Sequence, residues 1–188
     1  MKIFVLKGSP NQGGNTNILL ERFLDGVKSR HEELEIKNFD AYRELAVKPC
    51  TDCGACNRTG NCIDPDFEDR ILKNVLRADV IVFAAPIYFM SFPAPLKAAV
   101  DRFQIFFAQK FLDTVKDNMN QKKGILITTF GGPGTNYDMY LKDLASVLFP
   151  ITMKIKDYEL LYARNTDRIK VKENKDLLEN AFQIGLKI

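Results

Sequence analysis

The sequence predicts an open α/β protein, a doubly wound five-stranded parallel sheet with helices on both faces. Three observations carry that prediction. Short apolar strand signals alternate with helix signals along the chain, the pattern of parallel strands joined by right-handed crossovers. Residues 79–85 are apolar almost throughout, as a central strand covered on both faces has to be. A Gly- and Asn-rich turn over 8–17 leads from the first apolar run into the first helical pattern.

The elements follow in order. Residues 2–7 form a short β-branched run that ends in Gly8-Ser9-Pro10, a strand and then a turn. Ile18, Leu19, Phe23 and Val27 share one face of a helix over 15–30, with Asn15 or Thr16 as its cap. Residues 34–39 alternate and read as the second strand, followed by an irregular segment, 40–63. Asp64-Pro65 opens the next helix, because Asp caps and Pro suits the first turn; Phe67, Ile71, Leu72, Val75 and Leu76 line its buried face. The central strand at 79–85 comes next, then a helix over about 95–108. A fourth strand at 123–129 ends at Gly131-Gly132-Pro133-Gly134. A helix through Leu148, a last strand within 151–162 and a helix over 172–186 complete the pattern. Five strands is the count of the flavodoxin-like arrangement, in which ligands bind beyond the carboxyl ends of the strands. A length of 188 residues suits one domain spanning 1–188.

Composition excludes several classes. The chain is 46% hydrophobic and 27% charged, an ordinary globular balance. A net charge of +3 without a basic block gives no footprint for nucleic acid. The N-terminal apolar run stops at Lys7, too short for a signal peptide, and Pro86, Pro93 and Pro95 break the longest uncharged stretch, so no membrane helix is expected. These features predict a cytoplasmic protein. The charges around 110–123 and the single histidine, His31, read as solvated surface.

Chemistry concentrates in four segments. The loop at 8–17 offers Ser9, Asn11, Asn15, Thr16, Asn17 and glycine amides at a helix N-terminus, without Lys, Arg or carboxylate. That set suits a monophosphate rather than a nucleoside triphosphate with its Mg²⁺. Pro86, Ile87, Tyr88, Phe89 and Met90 place large apolar groups immediately beyond the central strand, where they cover a flat ring or a subunit partner, or belong to the local core. Thr129, Gly131 and Gly132 end the next strand and let backbone approach a ligand, or form an ordinary turn. All four cysteines, Cys50, Cys53, Cys56 and Cys62, stand at C-x2-C-x2-C-x5-C spacing on the loop at about 46–64. Four thiolates suit a [4Fe–4S] cluster or zinc; free thiols are the third reading. No Cys–His arrangement supports nucleophilic catalysis, and no catalytic residue is assigned.

Taken together, Gly8-Ser9-Pro10, Gly14-Asn15-Thr16, Cys53-x2-Cys56-x5-Cys62, the apolar strand from Ala78, Pro86-Ile87-Tyr88, Lys97 and Asp101-Arg102 resemble the NAD(P)H-dependent FMN reductase superfamily of flavodoxin-like proteins. With Cys50 the spacing is similar to its iron–sulfur flavoprotein branch. The resemblance covers about residues 1–135. It implies bound FMN, a [4Fe–4S] cluster on the cysteine loop, NAD(P)H or a small redox protein such as ferredoxin as electron donor, and homodimers or homotetramers. It also implies that Ser9, Asn15, Thr16 and Asn17 hold the phosphate, that residues 86–90 lie along the flavin and that Thr129, Gly131 and Gly132 lie at its other edge. Asn11 stands where many relatives carry Arg, which implies weaker FMN binding or a compensating cation. Two alternatives remain at this stage. One is a plain FMN or quinone reductase whose cysteines bind zinc or nothing; the other is a non-enzymatic, zinc-stabilised binding module.

Overall fold

A computed structural model describes residues 1–44, 47–108, 119–133 and 137–188. Its frame is a five-stranded, all-parallel sheet of β1 (Lys2–Lys7), β2 (Glu35–Asp40), β3 (Val80–Pro86), β4 (Lys123–Thr129) and β5 (Asp157–Ala163), in the order β2-β1-β3-β4-β5. This is the flavodoxin-like order. The chain steps outward from β1 to β2, then returns past β1 to β3, so the switch point falls between the loops after β1 and β3.

Side-chain alternation builds the two cores. From β1, Ile3 and Val5 enter one apolar cluster and Phe4 and Leu6 the other; from β3, Val80, Val82 and Ala84 oppose Ile81, Phe83 and Ala85. The first face is covered by α1 (Asn15–Arg30) and α8 (Lys175–Leu186), through Leu19, Phe23, Val27 and Ala181. These helices cross where both lack a Cβ. A Cβ on Gly26 would come within 2.1 Å of the Phe182 carbonyl oxygen, and one on Gly185 within 2.1 Å of the Phe23 carbonyl oxygen. The other face carries α3 (Pro65–Phe67), α4 (Lys73–Arg77), α5 (Ala94–Asp101), α6 (Gln104–Ala108) and α7 (Tyr137–Ser146). Phe83 lies at its centre, packed against Phe92, Phe103 and Phe149.

Several elements differ from the sequence reading. The segment 40–63 contains a short helix, α2 (Ala55–Thr59), flanked by Gly54 and Gly60 in the left-handed region. Between α3 and α4 the helix widens into a π segment, Glu68–Leu72. The helix expected over 95–108 breaks around Arg102 and Phe103 into α5 and α6. The strand expected within 151–162 starts only at Asp157: Ile151 belongs to a π segment, Val147–Met153, that continues α7 and accommodates Pro150. Lys154, at φ +64°, ends that helix. Asp64 caps α3 as expected, accepting from the Phe67 amide at 2.9 Å. Neither Asn15 nor Thr16 caps α1. Its N-cap is Gly14 and no side chain caps it, because Asn15 Oδ1 accepts from the Val171 amide (3.0 Å) and the Thr16 hydroxyl bonds Thr129 (2.6 Å).

The charged face expected at 110–123 lies largely outside the described residues. Lys122, within the described part, is buried instead of solvated: its ammonium donates to the carbonyls of Leu76 (2.9 Å) and Ala78 at the end of α4. His31 is only half-exposed, with its Nε2 buried. Among the described residues, no helix is long and apolar enough to cross a membrane.

Candidate functional site

Parallel strands deliver their following loops to one edge, and the pairing β1–β3–β4 places three of the four chemistry-bearing segments side by side. The first loop leaves β1 at Gly8, whose amide donates to Ala84 O (2.8 Å). A Cβ there would come within 2.6 Å of Leu96 in α5, so glycine lets α5 pack directly on the loop. The loop's shape is set from within. The Ser9 hydroxyl donates to Asn11 O (3.1 Å), and Asn11 Oδ1 accepts from the Gly13 amide (3.1 Å). The buried Asn17 Nδ2 donates to the carbonyls of Asn11 and Gln12, each at 3.0 Å. Asn17 Oδ1 is left buried with no partner.

Two bonds join the loops to one another. Thr16 and Thr129 share a buried hydroxyl–hydroxyl bond of 2.6 Å between the first and third loops, and the Ile87 amide donates to Thr129 O (2.9 Å) between the second and third. Beyond Ile87 the second loop makes a tight turn. Tyr88 and Ser91 exchange two backbone bonds (2.9 and 3.0 Å) around Phe89 and Met90, both at positive φ (+48° and +60°). Two adjacent non-glycine residues in the left-handed region are a strained arrangement. The Tyr140 hydroxyl donates to Met90 O and secures it. Phe89 is fully exposed at 103%, Tyr88 and Met90 are each 46% exposed, and Phe92 turns inward to the core. Burial, with Tyr88 nearby, pushes the Tyr42 phenol up. Of the third-loop glycines, Gly131 backs onto the Asp167 carboxylate, 2.3 Å from where a Cβ would stand, and Gly132 faces open space.

The cysteine loop lies on the α5–α6 side, around a cavity of about 290 Å³ that all four cysteines line. Its fixed point is Arg102, 8% exposed, at the end of α5. This guanidinium donates to Lys48 O, to Pro49 O (3.1 Å) and to Cys62 Sγ (3.2 Å), and pairs with the buried Asp64 carboxylate (3.0 Å). The Cys62 amide donates to Glu68 Oε1 (2.7 Å). Burial pushes the Cys56 thiol up, with neighbouring Cys50 and Cys62 adding to the effect. Among the described residues no three Cys, His, Asp or Glu side chains stand close enough to hold a metal ion. The thiols share a cavity without converging on a ligand set, and Asp52, Gly54 and Gly60 in the same loop are all at positive φ.

Sequence reasoning gave Arg102 no contacts and passed over Arg43 altogether. Arg43, in the turn after β2, reaches into the first loop, donating to Pro10 O (2.9 Å) and Ser9 O (3.4 Å) while pairing with Asp40 (3.1 Å). The one available signal was an arginine close behind a strand's carboxyl end, which is weak by itself.

The strand order β2-β1-β3-β4-β5, with the loops after β1, β3 and β4 gathered at one edge, defines a flavodoxin-like α/β protein. Residues 1–158 match the NADPH-dependent FMN reductase family, and the chain belongs to that family. It is 38% identical over 102 residues to an iron-sulfur flavoprotein of Methanosarcina thermophila (54% of this chain, 52% of that one) and 34% identical over 102 residues to an iron-sulfur flavoprotein of Methanocaldococcus jannaschii (54% and 51%). The chain thus spans about half the length of these relatives. Its fold is that of the NAD(P)H:quinone oxidoreductase from Methanothermobacter marburgensis, at a TM-score of 0.75 and 15% identity, covering 100% of this chain and 96% of that one.

Proposed function

We propose that this protein is an FMN-bound oxidoreductase that accepts reducing equivalents from NAD(P)H, or from a small redox protein such as ferredoxin, and passes them to a quinone or another small acceptor. The observation that carries this reading is the convergence of the first, second and third loops at the switch point, tied by the Thr16–Thr129 and Ile87–Thr129 bonds. The residues present fit the cofactor. The first turn of α1 has amides that no side chain caps, which suits a phosphate, with Ser9, Asn11, Asn15, Thr16 and Asn17 shaping the loop around it. Pro86, Ile87, Tyr88, Phe89 and Met90 would lie along the ring, with Thr129, Gly131 and the open Gly132 at its other edge.

Bound FMN would supply the hydride- and electron-accepting chemistry that no side chain provides. The protein's own part is to orient and shield. The Tyr140–Met90 bond holds the aromatic turn outward, and the two threonine-centred bonds keep the loops at fixed spacing. The exposed turn also suits a subunit contact, so the reading includes homodimers or dimer pairs, a single unit over 1–188 and a cytoplasmic setting.

On the cysteine loop, the reading includes a [4Fe–4S] cluster held by Cys50, Cys53, Cys56 and Cys62 after the loop closes, with zinc as the other occupant. Four thiols lining one cavity, and the names of the two relatives above, favour it. No step is routed through that group.

Titrating anaerobically purified protein with FMN, followed by NADH and NADPH oxidation assays, tests the reading. Quenched flavin fluorescence and FMN-dependent oxidation are expected. Protein that stays colourless and leaves flavin fluorescence unchanged would remove the proposal and favour a non-enzymatic binding module. Iron, sulfide and zinc analysis of the same sample decides the occupant of the cysteine loop.

A further inference from the structure

We propose that Arg43 is the positioning residue of the phosphate loop, fixing which backbone amides the loop offers to the FMN phosphate; this rests on the flavin reading above. Residues 8–17 contain no cation, yet a guanidinium bridges two of the loop's carbonyls, Pro10 O at 2.9 Å and Ser9 O at 3.4 Å. A trans peptide points its C=O and its N–H in opposite directions. With Pro10 O held by Arg43, the Asn11 amide is turned away from Arg43. Asn17 acts the same way one step along, taking Asn11 O and Gln12 O and turning the Gln12 amide away from its own carboxamide. Arg43 and Asn17 therefore engage the turn's carbonyls and leave the Asn11 and Gln12 amides for an anion, while the Gly13 and Gly14 amides are taken by Asn11 within the turn.

Arg43 is itself braced. Asp40 pairs with it at 3.1 Å, and the Asp40 amide donates to Glu44 Oε1 (2.8 Å), while the other Glu44 oxygen pairs with Arg70 (3.0 Å). A planar fork bonding two carbonyls and one carboxylate is a geometry that lysine cannot reproduce. Because Asp40 offsets much of the positive charge, Arg43 acts mainly through this geometry.

The test compares FMN with riboflavin, which lacks only the phosphate, by fluorescence titration of wild type, R43Q and R43K. For R43Q, FMN affinity falls by about tenfold or more, as expected when charge-assisted bonds shaping the site are lost, while riboflavin affinity stays within about twofold. R43K shows most of the same FMN-specific loss, and circular dichroism shows both variants folded. Equal loss of FMN and riboflavin would overturn the proposal by showing general pocket damage, as would unchanged FMN affinity in R43Q. Full rescue by R43K would overturn the geometric role in favour of simple charge. If wild type binds neither flavin, the functional reading itself fails, an outcome distinct from wild type binding FMN and R43Q binding it equally well.

Discussion

Replacing Arg102 with Met keeps the length and apolar stem of the side chain and removes every donor. Lys48 and Pro49 are exposed, so water replaces the bonds to their carbonyls at small cost. Asp64 is different: its side chain is 10% exposed and Arg102, at 7%, is its ion-pair partner. Removing one member of a buried pair strands the other charge and costs about 3–5 kcal/mol. Asp64 keeps its capping bond to the Phe67 amide, which relieves part of this, so the expected loss is about 3 kcal/mol. Adding D64N to R102M removes the stranded charge while leaving an Asn that still caps, and recovers about half of the loss. Urea denaturation measures the stability. A chromogenic disulfide reagent measures how fast the four thiols react, and R102M accelerates that reaction because the loop opens. If R102M unfolds within about 0.5 kcal/mol of wild type and its thiols react no faster, Arg102 does not hold the loop.

Other perturbations test the frame. Gly26→Ala gains helix propensity by about 1 kcal/mol but forces a methyl group to within 2.1 Å of a backbone carbonyl oxygen that cannot rotate away; a net loss of about 1–3 kcal/mol in chemical denaturation is expected, and a gain would contradict the helix crossing. Lys122→Met leaves the carbonyls of Leu76 and Ala78 without their donor and lowers stability by about 1–2 kcal/mol near neutral pH. Burial holds the Lys122 pKa below its ordinary 10.5. Between that lowered folded value and 10.5 the unfolded chain binds more protons than the folded one, so wild-type stability rises with pH across this window. K122M lacks this contribution, so the gap between the two proteins widens on going from neutral to alkaline pH; denaturation at both pH values shows whether it does.

The fold was legible where burial dictates sequence. β1, β3 and β4 are apolar because helices cover both of their faces, and the Asp64-Pro65 start of α3 is written in capping chemistry that needs only local residues. The misreadings have one physical cause: a local rule met a distant partner. Asn15 is a good cap by type, but its oxygen bonds Val171 on the far side of the chain. Ile151 lies in an apolar, β-branched stretch that suits a strand, yet the π turn carries it on into helix. Lys122 reads as surface by type and is buried because the end of α4 supplies two carbonyls. The same limit governs the site. Loop composition at 8–17, 86–90 and 129–132 pointed to a mononucleotide edge, whereas Arg43 and Arg102 act across 33 and 53 residues of sequence, on Pro10 and Pro49, and no local pattern reveals these contacts.

The crossing of α1 and α8 through Gly26 and Gly185 bears on the order in which the molecule assembles during synthesis. The partner that α1 needs is made about 160 residues after it, so a growing chain carries Phe23 and Val27 without that cover while the rest of the sheet is being translated. β1, β3 and β4 are available for pairing before then. This face of the sheet therefore closes only after α8 has been made, and until then the side of α1 around Gly26 that α8 covers stays open to water and to neighbouring nascent chains.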